Sequence, residues 1–210
     1  MKGKELQSSV LNYCLMQATD NLEFLFRKLH FQVEKKKDLT SEEIIKVLRN
    51  ISGESHREFN AFVCCILSHG SEGSVFGTDG EQVMIKDFLH FFKGHLCKTL
   101  AGKPKLFFIQ ACQGGGMGLG IPKDQKMSAK MPVILRGNCH QVLVPNFKLV
   151  WFSVKLENDN VASGGSNIPS EADMLLAMST VPGYVSYRDP KEGSVFIQSL
   201  VKHLQNEYKE

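Results

Sequence analysis

The sequence predicts an α/β fold: a three-layer sandwich in which a central, mostly parallel β-sheet carries helices on both faces. Two observations lead there. The runs Ala61 to Ser68 (AFVCCILS) and Leu106 to Ile109 (LFFI) are continuous, apolar and rich in β-formers, the pattern of strands buried on both faces. Segments with apolar residues at helical spacing lie before and between them. Helix and strand in alternation imply parallel pairing through right-handed crossovers.

The first helix is expected over Asp20–Leu29, where apolar residues at 22, 25, 26 and 29 form one stripe and Asp20 can serve as N-cap. Phe31-Gln32-Val33 reads as a short strand, with Lys35-Lys36-Lys37 at a turn beyond it. A second amphipathic helix, Ile44 to Asn50, opens on a capping box in which Thr40 precedes Glu43 by three residues. The strand Ala61 to Ser68 follows and stops at the turn His69-Gly70. Next, SEGSVFGTDGEQV has the pattern of a hairpin turning at Thr78-Asp79-Gly80, and Ile85 to Phe92 is helical. The chain returns through Cys97–Pro104 to the strand that ends near Cys112.

Regular order then lapses. Gly114, Gly115, Gly116, Gly118 and Gly120 form a glycine-rich stretch. Within Lys126–Leu156 only 142–154 (VLVPNFKLVWFSV) is apolar enough for a strand, and Asn158–Asn167 is linker-like. Ala172 to Ser179 reads as a further buried strand, Val181-Pro182-Gly183 as a turn, and Tyr184–Arg188 as a loop. Gly193 to Tyr208 closes the chain as an amphipathic helix, with Phe196, Ile197, Leu200, Val201 and Leu204 on one face.

Composition narrows the function. A chain of 210 residues can bury a sizeable core. A net charge of +3 without a long basic cluster argues against nucleic acid and anionic membrane surfaces as partners. No run reaches the ~20 apolar residues of a membrane span, and MKGKELQSSV has no apolar core of a secretory signal. Six cysteines without such a signal point to reduced thiols in the cytoplasm. Cys64 and Cys65 read as core residues, and no cysteine or histidine pair has zinc spacing, so no metal or cofactor is expected.

The chemistry centres on Lys103 to Gly114, KPKLFFIQACQG, where a thiol stands at the carboxyl end of a buried strand before glycines. That end of an open α/β sheet is where ligands and catalytic groups collect. His69 stands at the carboxyl end of the preceding strand, so one parallel sheet would bring both to the same edge. A cysteine nucleophile needs such a base, together with donors for the oxyanion. The other histidines (His30, His56, His90, His95, His140 and His203) are expected to be structural or solvated.

Gln110-Ala111-Cys112-Gln113-Gly114 resembles the nucleophile signature of the caspases, Gln-Ala-Cys-(Arg/Gln/Gly)-Gly. CCILSHG, FGTDG, GIP, EADMLLAMSTVPGYVSYRDP and FIQSL follow the family order, and the resemblance covers about Asp20–Gln113 and Ile168–His203. The Gln after the Cys is similar to the caspase-8/caspase-10 initiator type. The resemblance implies a cysteine endopeptidase of apoptotic death-receptor signalling, made as a zymogen and cutting protein and peptide substrates after a P1 Asp.

It further implies Cys112 as nucleophile and His69 as base, close to the family spacing of about 50 residues. The backbone of Gly70 is implied for the oxyanion, Gln110 and Arg188 for the P1 carboxylate, and Val185 and Tyr187 for the neighbouring subsites. A branched aliphatic P4 and a Glu at P3 would be preferred. Asp159, behind Leu156 and Glu157, is the expected processing site, with Asp124 second. The implied organisation is an atypical segment over 1–19, a large-subunit part over 20–113, an intersubunit linker with an atypical insert over 114–169, and a small-subunit part over 170–210. The implied partners are a second caspase, in a homodimer or heterodimer, and death-receptor adaptor complexes.

The family's first strand, with its Arg-x-Gly-Thr motif, and its last helix and strand find no match here, nor does a death-effector domain. The chain therefore reads as truncated at both ends. A catalytically weak caspase-like protein that binds and modulates a full-length caspase is the alternative expectation.

Overall fold

The computed structural model describes residues 17–115, 148–154, 169, 171–186, 188–189 and 193–207. Helix α1 covers 17–28, followed by β1 (Gln32–Lys37), α2 (Ser41–Gly53), β2 (Ala61–Leu67), β3 (Gly70–Ser71), β4 (Ser74–Phe76), β5 (Gln82–Met84) and α3 (Ile85–Phe91). A single 3-10 turn at Lys98–Leu100 leads into β6 (Lys105–Gln110). Then come β7 (Lys148–Val154), β8 (Met174–Met178), β9 (Arg188–Asp189), β10 (Gly193–Ser194) and α4 (Val195–Glu207).

The main sheet has the order β1-β7-β2-β6-β8. β2, β6 and β8 are parallel neighbours, whereas β7 runs antiparallel to both β1 and β2. Four strands thus share one direction, as the alternating pattern predicts, but β1 and β2 are not neighbours. The expected strand in 142–154 lies between them. Sequence order could not place it, because β7 pairs with strands about eighty to a hundred and twenty positions away.

The structure departs from the sequence expectation at three elements. β8 is not a buried strand: it ends the sheet order, with Leu175 and Leu176 exposed. Lys35, Lys36 and Lys37 belong to β1 rather than to a turn, on the outermost strand of the sheet. Lysines along an edge oppose pairing with another chain, which explains a charged run inside a strand. Asp20 lies within α1 rather than at its start, since the helix already includes Gln17 and the buried Ala18 and Thr19. The helix ends at His30, whose φ of 63° is left-handed. Its N–H donates to the Arg27 carbonyl at 3.0 Å and that of Phe31 to Phe26 at 2.9 Å, while the Phe26 and Phe31 rings meet edge-on at 5.2 Å. This is a Schellman closure with its apolar contact, and it gives His30 a structural role.

The period of two in the central strands builds the layers. Phe62, Cys64 and Ile66 of β2 and Phe107 and Ile109 of β6 pack with Ile44, Leu48 and Ile51 of α2 and Ile85 and Phe88 of α3. Val63, Cys65, Leu67 and Phe108 face the other way, onto Leu22, Leu25 and Phe26 of α1 and Ile197 and Val201 of α4. On the first face Phe92 stacks on Phe62 at 4.9 Å and meets Phe107 at 5.3 Å. Each such buried ring contributes about 1.5–3 kcal/mol.

The expected capping box is present: the Thr40 N–H donates to the Glu43 carboxylate at 2.8 Å, and the Glu43 N–H to the Thr40 hydroxyl at 3.3 Å. The hairpin β4–β5 turns at Thr78-Asp79-Gly80, and the Asp79 carboxylate accepts from the Ser41 N–H at 3.0 Å and hydroxyl at 2.8 Å. The hairpin that follows His69 is thereby fixed to the start of α2.

Candidate active site

The register of the central strands positions the site. Leu67 of β2 pairs with Gln110 of β6, and the ladder extends one step further where the Ser68 N–H donates to the Gln110 carbonyl at 3.0 Å. His69 and Cys112 each stand two residues beyond that pair. On parallel strands about 4.8 Å apart, equal overshoot puts both at the same edge and the same height. Both are half-buried, and Cys112 is a free thiol.

Gly70 closes the gap between the two strand ends. A Cβ there would overlap the Ser74 carbonyl oxygen and lie within 2.8 Å of the Cys112 carbonyl oxygen, so only glycine allows this approach. The Phe76 N–H donates to the His69 carbonyl at 2.9 Å, making that pair a hydrogen-bonded one. Such pairs alternate in an antiparallel ladder, so Gly70, opposite Val75, directs its N–H away from β4.

Behind the thiol lies a buried polar chain. Gln110 is fully buried, on the face of β6 that also carries Phe108 toward α4. Its amide nitrogen donates to the Ser186 hydroxyl at 2.5 Å, and its amide oxygen accepts from the Ser194 hydroxyl. Ser194 in turn accepts from the Ile197 N–H at 3.2 Å, capping α4. The Ser186 N–H donates to the Cys112 sulfur at 3.4 Å. Arg188 pairs with Ser194 in the β9–β10 ladder, so its backbone reaches Gln110 through one hydroxyl. Val185 is half-buried in the same segment; Tyr187, Asp124, Asp159 and His140 lie outside the described residues.

The His56 ring is buried and hydrogen-bonds the Ile51 carbonyl at 2.7 Å, and His203 hydrogen-bonds the Ser199 carbonyl at 2.7 Å. Cys64 and Cys65 are fully buried, and that burial pushes both thiols far up, which leaves them inert. Among the described residues no group of His, Cys, Asp or Glu is placed to hold a metal ion, and no helix is long and apolar enough to cross a membrane.

Sequence reading missed Ser186 and Ser194. Gly193-Ser194-Val195 carried a usable signal, a serine directly before a helical stripe. Ser186 carried none, because its role depends on a partner in another strand.

Fold and site together define an α/β protein in which a thiol and an imidazole end adjacent strands of a largely parallel sheet. A family model described as a caspase domain matches residues 10–210. The chain is 39% identical to mouse caspase-8 over 179 residues, covering 85% of this chain and 32% of the relative. It is 41% identical to caspase-3 of Mesocricetus auratus over 179 residues (85% and 53%) and 40% identical to mouse caspase-3 over 184 residues (88% and 54%). The chain belongs to the caspase-domain family. It spans from about a third to about half of the length of these curated relatives. Caspase-8 and caspase-3 match it about equally well, so identity alone does not select the initiator type.

Proposed function

We propose that the chain is a cysteine endopeptidase that cuts protein substrates after Asp. Cys112 is the nucleophile and His69 the base. The imidazole takes the thiol proton, the sulfur attacks the scissile carbonyl, and the imidazolium returns that proton to the departing amine. Water then hydrolyses the thioester. The backbone N–H groups of Gly70 and Cys112 donate to the oxyanion. Arg188 takes the P1 carboxylate with its planar fork, which suits a bidentate acceptor. Gln110 assists, since its amide nitrogen carries two protons and Ser186 takes one. Val185 and Tyr187 line the neighbouring subsites, favouring Glu at P3 and a branched residue at P4.

The observation that carries this reading is the Leu67–Gln110 register, which sets His69 and Cys112 level at one sheet edge. Gln113 supports the initiator type, and with it death-receptor adaptors, a second caspase as partner and a cytoplasmic setting. Processing after Asp159, and secondarily Asp124, belongs to the same reading.

The test is turnover of an Asp-P1 peptide by the chain and by Cys112→Ala, with an Asp-fluoromethylketone probe mapped by peptide mass. Cleavage lost in Cys112→Ala and a label on Cys112 are expected. Unchanged turnover, or a label on another cysteine, overturns the assignment.

A further inference from the structure

Gln113 sits directly after the nucleophile yet has no part in the chemistry above. It is a long polar side chain only 1% exposed, and a buried amide must find partners at both ends. Its side-chain oxygen accepts from the Gly73 N–H at 2.9 Å, and its side-chain nitrogen donates to the Cys112 carbonyl at 3.0 Å. The orientation is fixed by chemistry: a flipped amide would set NH2 against N–H and oxygen against oxygen. Its backbone is engaged too. The Gln113 N–H donates to the Tyr184 carbonyl at 2.9 Å, and its carbonyl accepts from the Gly183 N–H at 2.5 Å.

Three segments therefore meet on one residue. Gly73 lies in the β3–β4 turn, three residues after Gly70, and its carbonyl accepts from the Ile85 N–H at 2.9 Å, which ties that turn to α3. Cys112 carries the thiol. Gly183 and Tyr184 begin the segment that leads to Ser186, whose N–H reaches the sulfur, and to Arg188. Gly114, with φ of 141°, extends the junction. A Cβ there would lie 2.6 Å from the Gly183 carbonyl carbon, so glycine lets the two backbones touch.

We propose that Gln113 is a positioning residue that sets the base-bearing hairpin and the 183–186 segment on the nucleophile, so that His69, Cys112 and Ser186 keep one geometry. The proposal rests on Cys112 and His69 being the nucleophile and base. The side chain acts through backbone atoms alone, the Gly73 N–H and the Cys112 carbonyl. A polar side chain of this length is required, because one end must reach Gly73 while the other returns to the carbonyl of the preceding residue. Methionine keeps the volume without either hydrogen bond, and asparagine keeps the amide but withdraws it by one methylene.

The test compares the full chain with Gln113→Met and Gln113→Asn, each first shown to be folded by thermal unfolding. Two quantities are read: the second-order rate of Cys112 alkylation by iodoacetamide at neutral pH, resolved from other cysteines by peptide mass, and kcat and KM on an Asp-P1 peptide. Both variants are expected to lose about tenfold to a hundredfold in kcat, the cost of a displacement of about 1 Å at a reacting group. KM should rise by less than kcat falls, since Val185 rides on the same segment, and alkylation of Cys112 should slow in parallel. If either folded variant matches the parent within about twofold in both readouts, the proposal is wrong; should the Met variant not fold, the Asn variant decides. Alkylation needs no substrate. A parent chain that cleaves nothing would therefore sink the peptidase reading, while the alkylation comparison still decides this one.

Discussion

The Ser194 hydroxyl donates to the amide oxygen of Gln110 and accepts the Ile197 N–H at 3.2 Å, joining the cap of α4 to the strand that leads to Cys112. One hydroxyl thus serves helix stability and the site at once. Ser194→Ala should remove the cap, at about 1 kcal/mol. It also leaves the buried Gln110 oxygen unsatisfied, at about 1–3 kcal/mol. The sum, about 2–4 kcal/mol, is measurable as a lower urea midpoint at unchanged slope. A change below about 0.5 kcal/mol would show that the hydroxyl is replaceable by water.

Gly70→Ala forces a methyl against the Ser74 and Cys112 carbonyl oxygens, both of them backbone atoms. Overpacking of this kind costs about 1–3 kcal/mol. Because the displaced atoms belong to the site, peptidase activity should fall further than stability does. Thermal unfolding and turnover on the same preparation check this, and full activity at a lowered Tm would contradict it.

Arg188→Lys should abolish cleavage after Asp while the chain stays folded, since a point charge on a flexible stem cannot reproduce a bidentate fork. Turnover of an Asp-P1 peptide at several substrate concentrations is the measurement. Retained cleavage would remove Arg188 from the proposed pocket.

Stability should weaken in acid through the α2 cap. The Thr40 backbone N–H, and after it the Thr40 side chain, holds the Glu43 carboxyl below its ordinary value. A depressed folded pKa contributes stability that is fully present above the unfolded value of about 4.3 and is lost as pH falls through the lowered one. Glu43→Gln keeps an acceptor but cannot titrate. Its urea midpoint should therefore fall less than that of the parent between pH 6 and pH 3, and parallel curves would exclude the effect.

Incubation with active caspase-8 should cut after Asp159 and give a new terminus at Asn160, with a slower cut after Asp124. The two pieces should still elute together. β8 of the later piece pairs with β6 of the earlier one, and Ile197 and Val201 of α4 pack on the earlier piece's core. An uncut chain, or a cut only after Asp124, overturns the choice of site. Separation of the fragments without denaturant would contradict the packing.

The sequence by itself determined the elements whose signals are local. The Thr40–Glu43 box, the 78–80 turn and the stripes of α1, α2 and α4 each depend on residues a few positions apart. The runs of β2 and β6 were also legible, because strands covered on both faces are continuously apolar. From those runs the sequence located His69 and Cys112 at strand ends and placed Cys64 and Cys65 in the core. Only the tertiary structure decided which strands are neighbours. It set Lys148–Val154 between β1 and β2, turned Lys35–Lys37 into a guarded sheet edge, and brought Ser186, Ser194 and Gly73 onto the glutamines beside Cys112. The physical reason is range. Helical stripes and caps are set within a few positions, whereas a ladder pair or a buried hydrogen bond joins residues tens of positions apart and exists only once the chain has closed between them.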